Sequence, residues 1–340
     1  MKKSLFFVAA AALVLVSCNN DVKLAENTAL EGSNAQKEIA FSTYARRTRR
    51  VAADTYQYAI DGTTFPTDLN MYVAAYQVEP STANYFAGTQ YTYNGTAYWG
   101  GVTKRYWPLS ACYINFLAYA NVTGTAAFNA TNYASAAVIT QTDNSSAQTD
   151  LMYAIGNGEV TQSGNTLTFP TAVDMEFKHA QAWMDFYVKG ASAAEAAITI
   201  NSITLNGAKY AGTYTITHTN YNAKTSQSVA GAWSSLGDAA NVAVPGWSAA
   251  ALTTSLVQVS HGLLVVPDDN DAAGDWTSFV INYTMDGKTY DYTYTPADAA
   301  AANVQQAKHY LFNITFTLHE IVVDASVADW TDVSTAVAIP

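Results

Sequence analysis

The side chains able to do chemistry are few and far apart. The five histidines are His179, His218, His261, His309 and His319. No two have the close spacing that sets a pair of imidazoles on one helix face around zinc. The two cysteines, Cys18 and Cys112, form neither a metal-ligand pair nor a disulfide framework. No Gly-x-Ser-x-Gly turn presents a nucleophile, and no glycine-rich loop offers a phosphate cradle. Asp268-Asp269-Asn270-Asp271 is acidic, but the glycine and distal glutamate of a calcium loop are out of place, so it reads as a solvated turn. The remaining carboxylates are scattered and identify no glycosidase pair. These residues predict a chain that is not an enzyme and takes no metal and no cofactor.

Two chemistries remain, and both act on the chain itself. Lys2 and Lys3 precede an apolar run from Leu5 to Val16, too short to span a bilayer, which ends in Leu15-Val16-Ser17-Cys18. This looks like a lipobox: residues 1–18 are a leader, cut so that a diacylated Cys18 becomes the N-terminus and anchors the precursor in the membrane. An ordinary signal peptide with a chance cysteine is the competing reading. Second, Arg46, Arg47, Arg49 and Arg50 are four of the five arginines in 340 residues, in the run Arg46-Arg47-Thr48-Arg49-Arg50. The run is either a surface charge patch or a cut site for an Arg-specific or trypsin-like protease. Accessible linkers are where proteolysis occurs. Residues 1–46 carry a net charge of +1, so a cut after Arg46 leaves a body of −12, and a cut after Arg50 one of −15.

The elements around these residues read as strands. Charged residues make up 13% of the chain and the net charge is −11. That is about half the usual charged fraction of roughly 25%, and the acidity argues against nucleic acid as a partner. The polar surface must come from Thr, Ser, Asn, Gln and Tyr, which suit strands and turns. Residues 19–38 lack periodicity and read as a linker. Then Ile39, Phe41 and Thr43 alternate onto one face, a half-buried strand directly before the arginines. Asp61-Gly62, Asn94-Gly95, Asn206-Gly207 and Asp286-Gly287 are hairpin signals. Residues 121–149 read as a long surface loop, Val257–Val266 as an apolar strand, and Thr295-Pro296 as the start of a short helix through Ala302. Cys112, in Ala111-Cys112-Tyr113-Ile114, reads as a buried small hydrophobe. Roughly seven strands per half predict an all-β chain of two β-sandwiches, 51–170 and 171–340.

Five stretches resemble the fimbrillin family, the type V pilins of Bacteroidales and related lipoproteins. They are the leader with Ile39-Ala40-Phe41-Ser42; Tyr106-Trp107-Pro108 with Ile114-Asn115-Phe116-Leu117-Ala118-Tyr119; Asp150-Leu151-Met152-Tyr153-Ala154; Phe177-Lys178-His179-Ala180-Gln181-Ala182; and the end from Tyr310 through Asp329-Trp330-Thr331-Asp332. Their order spans nearly the whole chain. Ala307-Lys308-His309-Tyr310 departs from relatives that carry glycine before the tyrosine. The resemblance implies two transthyretin-like Greek-key sandwiches in tandem and export to the outer membrane as a lipoprotein. It also implies that residues 19–50 are a propeptide whose strand is removed by cleavage. The groove so opened would take a strand from another pilin subunit. The family's donor is a C-terminal segment. Here that stretch is about 321–340, with Val322, Val327, Trp330, Val333, Val337 and Ile339 supplying apolar side chains.

The expected function is therefore a pilus subunit of surface fimbriae, with a stalk role favoured because both a removable strand and a tail are present. Other pilins and a host or bacterial surface ligand are its expected partners. The alternatives are a tip pilin, or a glycan-binding surface lipoprotein using the 23 tyrosines and seven tryptophans as a stacking platform.

Overall fold

The computed structural model describes residues 36–45, 70–93, 98–143, 145–146, 148–244, 249–258, 262–268, 274–297, 302–317, 320–329 and 332–338. Almost all of their regular secondary structure is strand. The first ten strands are β1 (Phe41–Ala45), β2 (Met71–Glu79), β3 (Ala83–Tyr93), β4 (Tyr98–Gly101), β5 (Cys112–Ala120), β6 (Thr125–Phe128), β7 (Ala136–Gln141), β8 (Met152–Ser163), β9 (Thr166–Thr168) and β10 (Val173–His179). Then follow β11 (Ala182–Gly190), β12 (Thr199–Ala208), β13 (Gly212–Thr219), β14 (Ser228–Ser234), β15 (Ala240–Ala243), β16 (Ala250–Ala251) and β17 (Val257–Gln258). The last six are β18 (Leu263–Val265), β19 (Ser278–Met285), β20 (Lys288–Tyr294), β21 (Lys308–Phe316), β22 (Ile321–Asp329) and β23 (Asp332–Ala338). A single 3-10 turn, Ala193–Ala197, is closed by a capping box between Ser192 and Glu195.

The strands form four sheets. The first has the order β10-β1-β4-β3-β2-β5-β8-β9, and β10 also meets β8, so it curls back on itself. Its concave side holds a core of Ile39, Phe41, Met71, Val73, Phe86, Tyr91, Trp107, Ile114, Phe116 and their neighbours. Its other side packs, through Leu117, Tyr119, Leu151 and Tyr153, on Ile139, Tyr214 and Ile216 of the sheet β14-β13-β7-β6. This explains why β5, Cys-Tyr-Ile-Asn-Phe-Leu-Ala-Tyr-Ala, is apolar without alternation: all nine residues are buried, because both faces are covered. Cys112 lies at its start, buried, and burial pushes its thiol up to about 11. The other two sheets, β17-β11-β21-β22-β23 with β18 and β15-β12-β19-β20 with β16, enclose a core around Phe186, Trp276, Phe279, Phe312 and Phe316.

Several sequence expectations hold. Asp286 and Gly287, at φ 51° and 72°, make the tight turn between β19 and β20. β10 alternates strictly, Val173, Met175, Phe177 and His179 buried and the residues between them not. Others are corrected. Residues 121–149 are not a loop throughout: β6 and β7 lie there, with Ala137 and Ile139 fully buried, because β7 pairs with the distant β13. Asn206-Gly207 does not turn a hairpin. β12 runs through it, the register against β15 slips between Leu205 and Ala208, and β12 and β13 lie in different sheets. That local signal marks a bulge, which also uses glycine at positive φ. The stretch 257–266 is two short strands, β17 and β18, both on β11. The turns at Asp61-Gly62 and Asn94-Gly95 and residues 298–301 of the expected helix lie outside the described residues, and Thr295 to Ala297, its expected start, are not helical.

Strand pairing also crosses the expected 170/171 boundary. β10 belongs to the first sheet, and the β13–β14 hairpin pairs with β7. The tip of that hairpin reaches back onto β5. The Asn115 Nδ2 donates to the carbonyls of Tyr221 (2.6 Å) and Ala223 (2.8 Å), and Gln227 Nε2 donates to Asn115 Oδ1 (2.7 Å). Asn115 is fully buried, so these bonds satisfy an amide that would otherwise be costly there.

Candidate functional site

The alternating segment before the arginines is built into the first sheet as an internal strand. β1 lies between β4, to which it is antiparallel, and β10, to which it is parallel. Pairing starts before the strand proper. The Ile39 N–H donates to Arg105 O (2.8 Å), Trp107 N–H donates to Lys37 O (2.9 Å), and Val173 N–H donates to Ala40 O (2.8 Å). Phe41 to Ala45 then align with Val173 to Phe177. An edge strand would leave one row of backbone groups open; here both sides are engaged as far as Ser42, and Thr43 to Ala45 pair with β10.

The alternation decides what points where. Ile39 and Phe41 point inward and are fully buried. The Phe41 ring meets Tyr91 (4.8 Å) and Phe116 (5.2 Å) edge-on at 86° in both cases, an arrangement favoured by ring quadrupoles. Burial pushes the Tyr91 hydroxyl well above its ordinary range. Thr43, the third inward position, is half-buried. On the outer side Ser42 Oγ donates to Asp174, and Glu38 pairs loosely with Lys104 at 3.8 Å. Trp107 closes the end of the core near Ile39, and glycine at 156 and 158 of β8 leaves the space that Met175 and Trp107 occupy. The site therefore holds an extended peptide by backbone hydrogen bonds on both edges and by two apolar sockets.

Burying Ile39 and Phe41 stabilises the fold by roughly 1.5–3 kcal/mol each, against a total of about 5–15 kcal/mol for an ordinary domain.

Cys18, Arg46, Arg47, Arg49 and Arg50 lie outside the described residues; β1 ends at Ala45, the residue before the arginine run. In the tail, β22 is antiparallel to β21 and β23 folds back on β22, with Val337 opposite Val327 and Ala338 opposite Ser326. The expected donor residues divide. Val327 packs on the core of the second sandwich with Ile321, Val323 and Ala325, whereas Val322 faces out, 47% exposed. Their odd spacing sends them to opposite faces. Val333 and Val337 belong to β23, the edge strand; Trp330 and Ile339 lie outside the described residues. β22 is thus part of the sandwich, and the peripheral portion of the tail begins near β23. The site residues that sequence reasoning did not single out are those of β10. Val173, Met175 and Phe177 form a wall of the slot, and their period of two was visible in Val-Asp-Met-Glu-Phe-Lys-His. Among the described residues no cluster of His, Cys, Asp and Glu could hold a metal. Among the residues whose burial is described, Tyr290 is the one aromatic side chain in the exposed class.

An all-β chain of packed sheets with an N-terminal segment inserted as an inner strand defines the class. The fimbrillin-like family model matches residues 52–330, and the chain belongs to that family of fimbrial, cell-surface proteins. Among curated proteins none matches the sequence. Among solved structures, one described as a cell adhesion protein of Bacteroides uniformis is similar in fold. Its TM-score is 0.50 at 16% identity, and the match covers 86% of this chain and 99% of that one. A fimbrial protein of Bacteroides vulgatus matches with TM-score 0.44 at 15% identity over 86% of this chain and 99% of that one. The tip fimbrial protein Mfa3 of Porphyromonas gingivalis matches with TM-score 0.45 at 13% identity over 87% of this chain and 100% of that one.

Proposed function

We propose that this chain is a structural, non-catalytic subunit of surface fimbriae that supports adhesion. It is exported as a lipoprotein through Cys18, cleaved after an arginine in 46–50, and polymerised when a strand of another subunit takes the place of β1. The observation that carries this reading is the position of β1. It is an inner strand with two buried apolar side chains, and the arginine run follows it without a spacer. A segment placed so can be disconnected from the body without first unfolding it. The sheet it leaves would present two unpaired edges, a template for strand addition. The donor segment is the tail from Trp330 onward, with Val333, Val337 and Ile339 as its apolar residues, because β22 has its own core to cover. A tail able to donate suits a stalk position; a tip subunit would need the slot without the donor.

The test is to treat the full chain with an Arg-specific protease and look for oligomer ladders and filaments. Ladders that disappear when Arg46, Arg47, Arg49 and Arg50 are all replaced by Gln would support the reading. Cleaved chain that stays monomeric at high concentration, together with surface fibres built from the four-arginine variant, would overturn it. Cleaved chain that only caps filaments would indicate a tip subunit.

A further inference from the structure

β10 is at once a wall of the slot and the lead into the second sandwich. Over Val173–Phe177 its strand partner among the described residues is β1; at Lys178 and His179 it turns to β8, opposite Tyr153 and Met152. Two residues later β11 begins in another sheet. Those two, Ala180 and Gln181, are fully buried. Ala180 N–H donates to Leu151 O (2.9 Å), and the Trp233 indole N–H donates to Ala180 O (2.6 Å). Gln181 Oε1 accepts from Leu151 N–H (2.9 Å), and Gln181 O accepts from Ala307 N–H (2.8 Å). Just ahead, His179 Nδ1 lies 2.8 Å from Oδ2 of the buried Asp150. The segments entering β8 and β21 and the end of β14 therefore all fasten on one dipeptide.

We infer that occupancy of the slot and order at this junction are coupled through β10. When β1 leaves, Val173–Phe177 lose their strand partner and keep only their packing on β8 at Gly156, and the next backbone pairing along the chain is that of Lys178 and His179, directly before the junction. Conversely, a loosened junction frees the C-terminal end of β10 and weakens the wall against which β1 rests. The paired and unpaired states of β10 are the two-state element that both sites bias, and the coupling is reciprocal. The biological meaning rests on the slot being an exchange site. A subunit with an empty slot would have a loose connection between its halves, and strand insertion would stiffen it. The coupling can be measured without cleavage or polymerisation, so failure of the exchange reading leaves the test intact.

The experiment is hydrogen exchange with peptide-level mass readout on the full, uncleaved chain. Phe41→Ala should accelerate exchange over 173–177 and, through β10, by about tenfold over 148–153 and 179–182, with the β19–β20 hairpin unchanged. Trp233→Phe, which removes the bond to Ala180, should accelerate exchange over 37–45. Should Phe41→Ala unfold the chain, which fast exchange of β19–β20 would reveal, Phe41→Leu replaces it. The inference is overturned if 173–177 loosens while 148–153 and 179–182 keep their wild-type rates, or if Trp233→Phe leaves 37–45 unchanged.

Discussion

At the scale of single residues, Phe41 carries the most. Its ring is fully buried between Tyr91 and Phe116, and truncation leaves a cavity in a core that has little freedom to collapse. Phe41→Ala should cost about 3–5 kcal/mol, read as a lower denaturant midpoint, while Ser42→Ala on the outer face should cost well under half of that. Asp275 gives a pH signature. Burial pushes its carboxyl up to about 6, although backbone N–H groups of Val304 and Asp268 donate to it. The folded protein then holds this proton more tightly than the unfolded chain, whose value is 3.8. Stability from this group is greatest below pH 4, falls as pH rises from about 4 to 6, and is level above that. Asp275→Asn should flatten that segment of the stability profile; a slope unchanged from wild type would show that other groups produce it.

Among elements, the tail and β1 are alike in being extended and unlike in what holds them. β22 covers the second core through Ile321, Val323, Ala325 and Val327, whereas β23 pairs only with β22 among the described residues. Deleting residues 332–340 should therefore leave the thermal midpoint within a few degrees of wild type. Deleting 321–340 should lower it sharply, since β21 loses its hydrogen-bonding neighbour and the core loses Ile321, Val323, Ala325 and Val327. Equal effects of the two deletions in a melting experiment would mean that β23 contributes to the fold as much as β22. The tail as a whole had seemed one donor in the sequence because Val322 and Val327 are both apolar. Their odd spacing puts them on opposite faces of a strand, and only the pairing with β21 shows which face is inward and that β22 is committed to its own sandwich.

For the whole molecule, the consequence of the crossed boundary is cooperativity. The first sheet needs β10, and the sheet behind it needs β13 and β14, yet β11 and β12 between them lie in the other sandwich. No single cut in the chain separates the two bodies. Residues 36–170 and 171–340 expressed apart should each lack native hydrogen-exchange protection, and the full chain should unfold in one transition with matching calorimetric and van't Hoff enthalpies. A folded, protected 36–170 fragment would contradict this. The same topology places contacts far apart in sequence, so folding should be slow relative to helical proteins of similar stability.

The chain by itself determined what depends on local pattern and composition. Few charges and abundant Tyr, Thr and Val set the all-β class. Ile39 and Phe41 announced an inward face by their period of two, Asp286-Gly287 announced a turn, and the scarcity of arginine elsewhere drew attention to residues 46–50. Pairing was decided only in three dimensions, because a strand's side-chain period says which face is apolar and nothing about which neighbour supplies its hydrogen bonds. Thus Asn206-Gly207 has the residues of a hairpin and sits in a bulge, and Ala137 and Ile139 lie in a stretch that reads as loop until β13 is placed beside it. β10 alternates as plainly as β1, but that it walls the slot follows from its parallel alignment with β1 across more than 130 residues of chain.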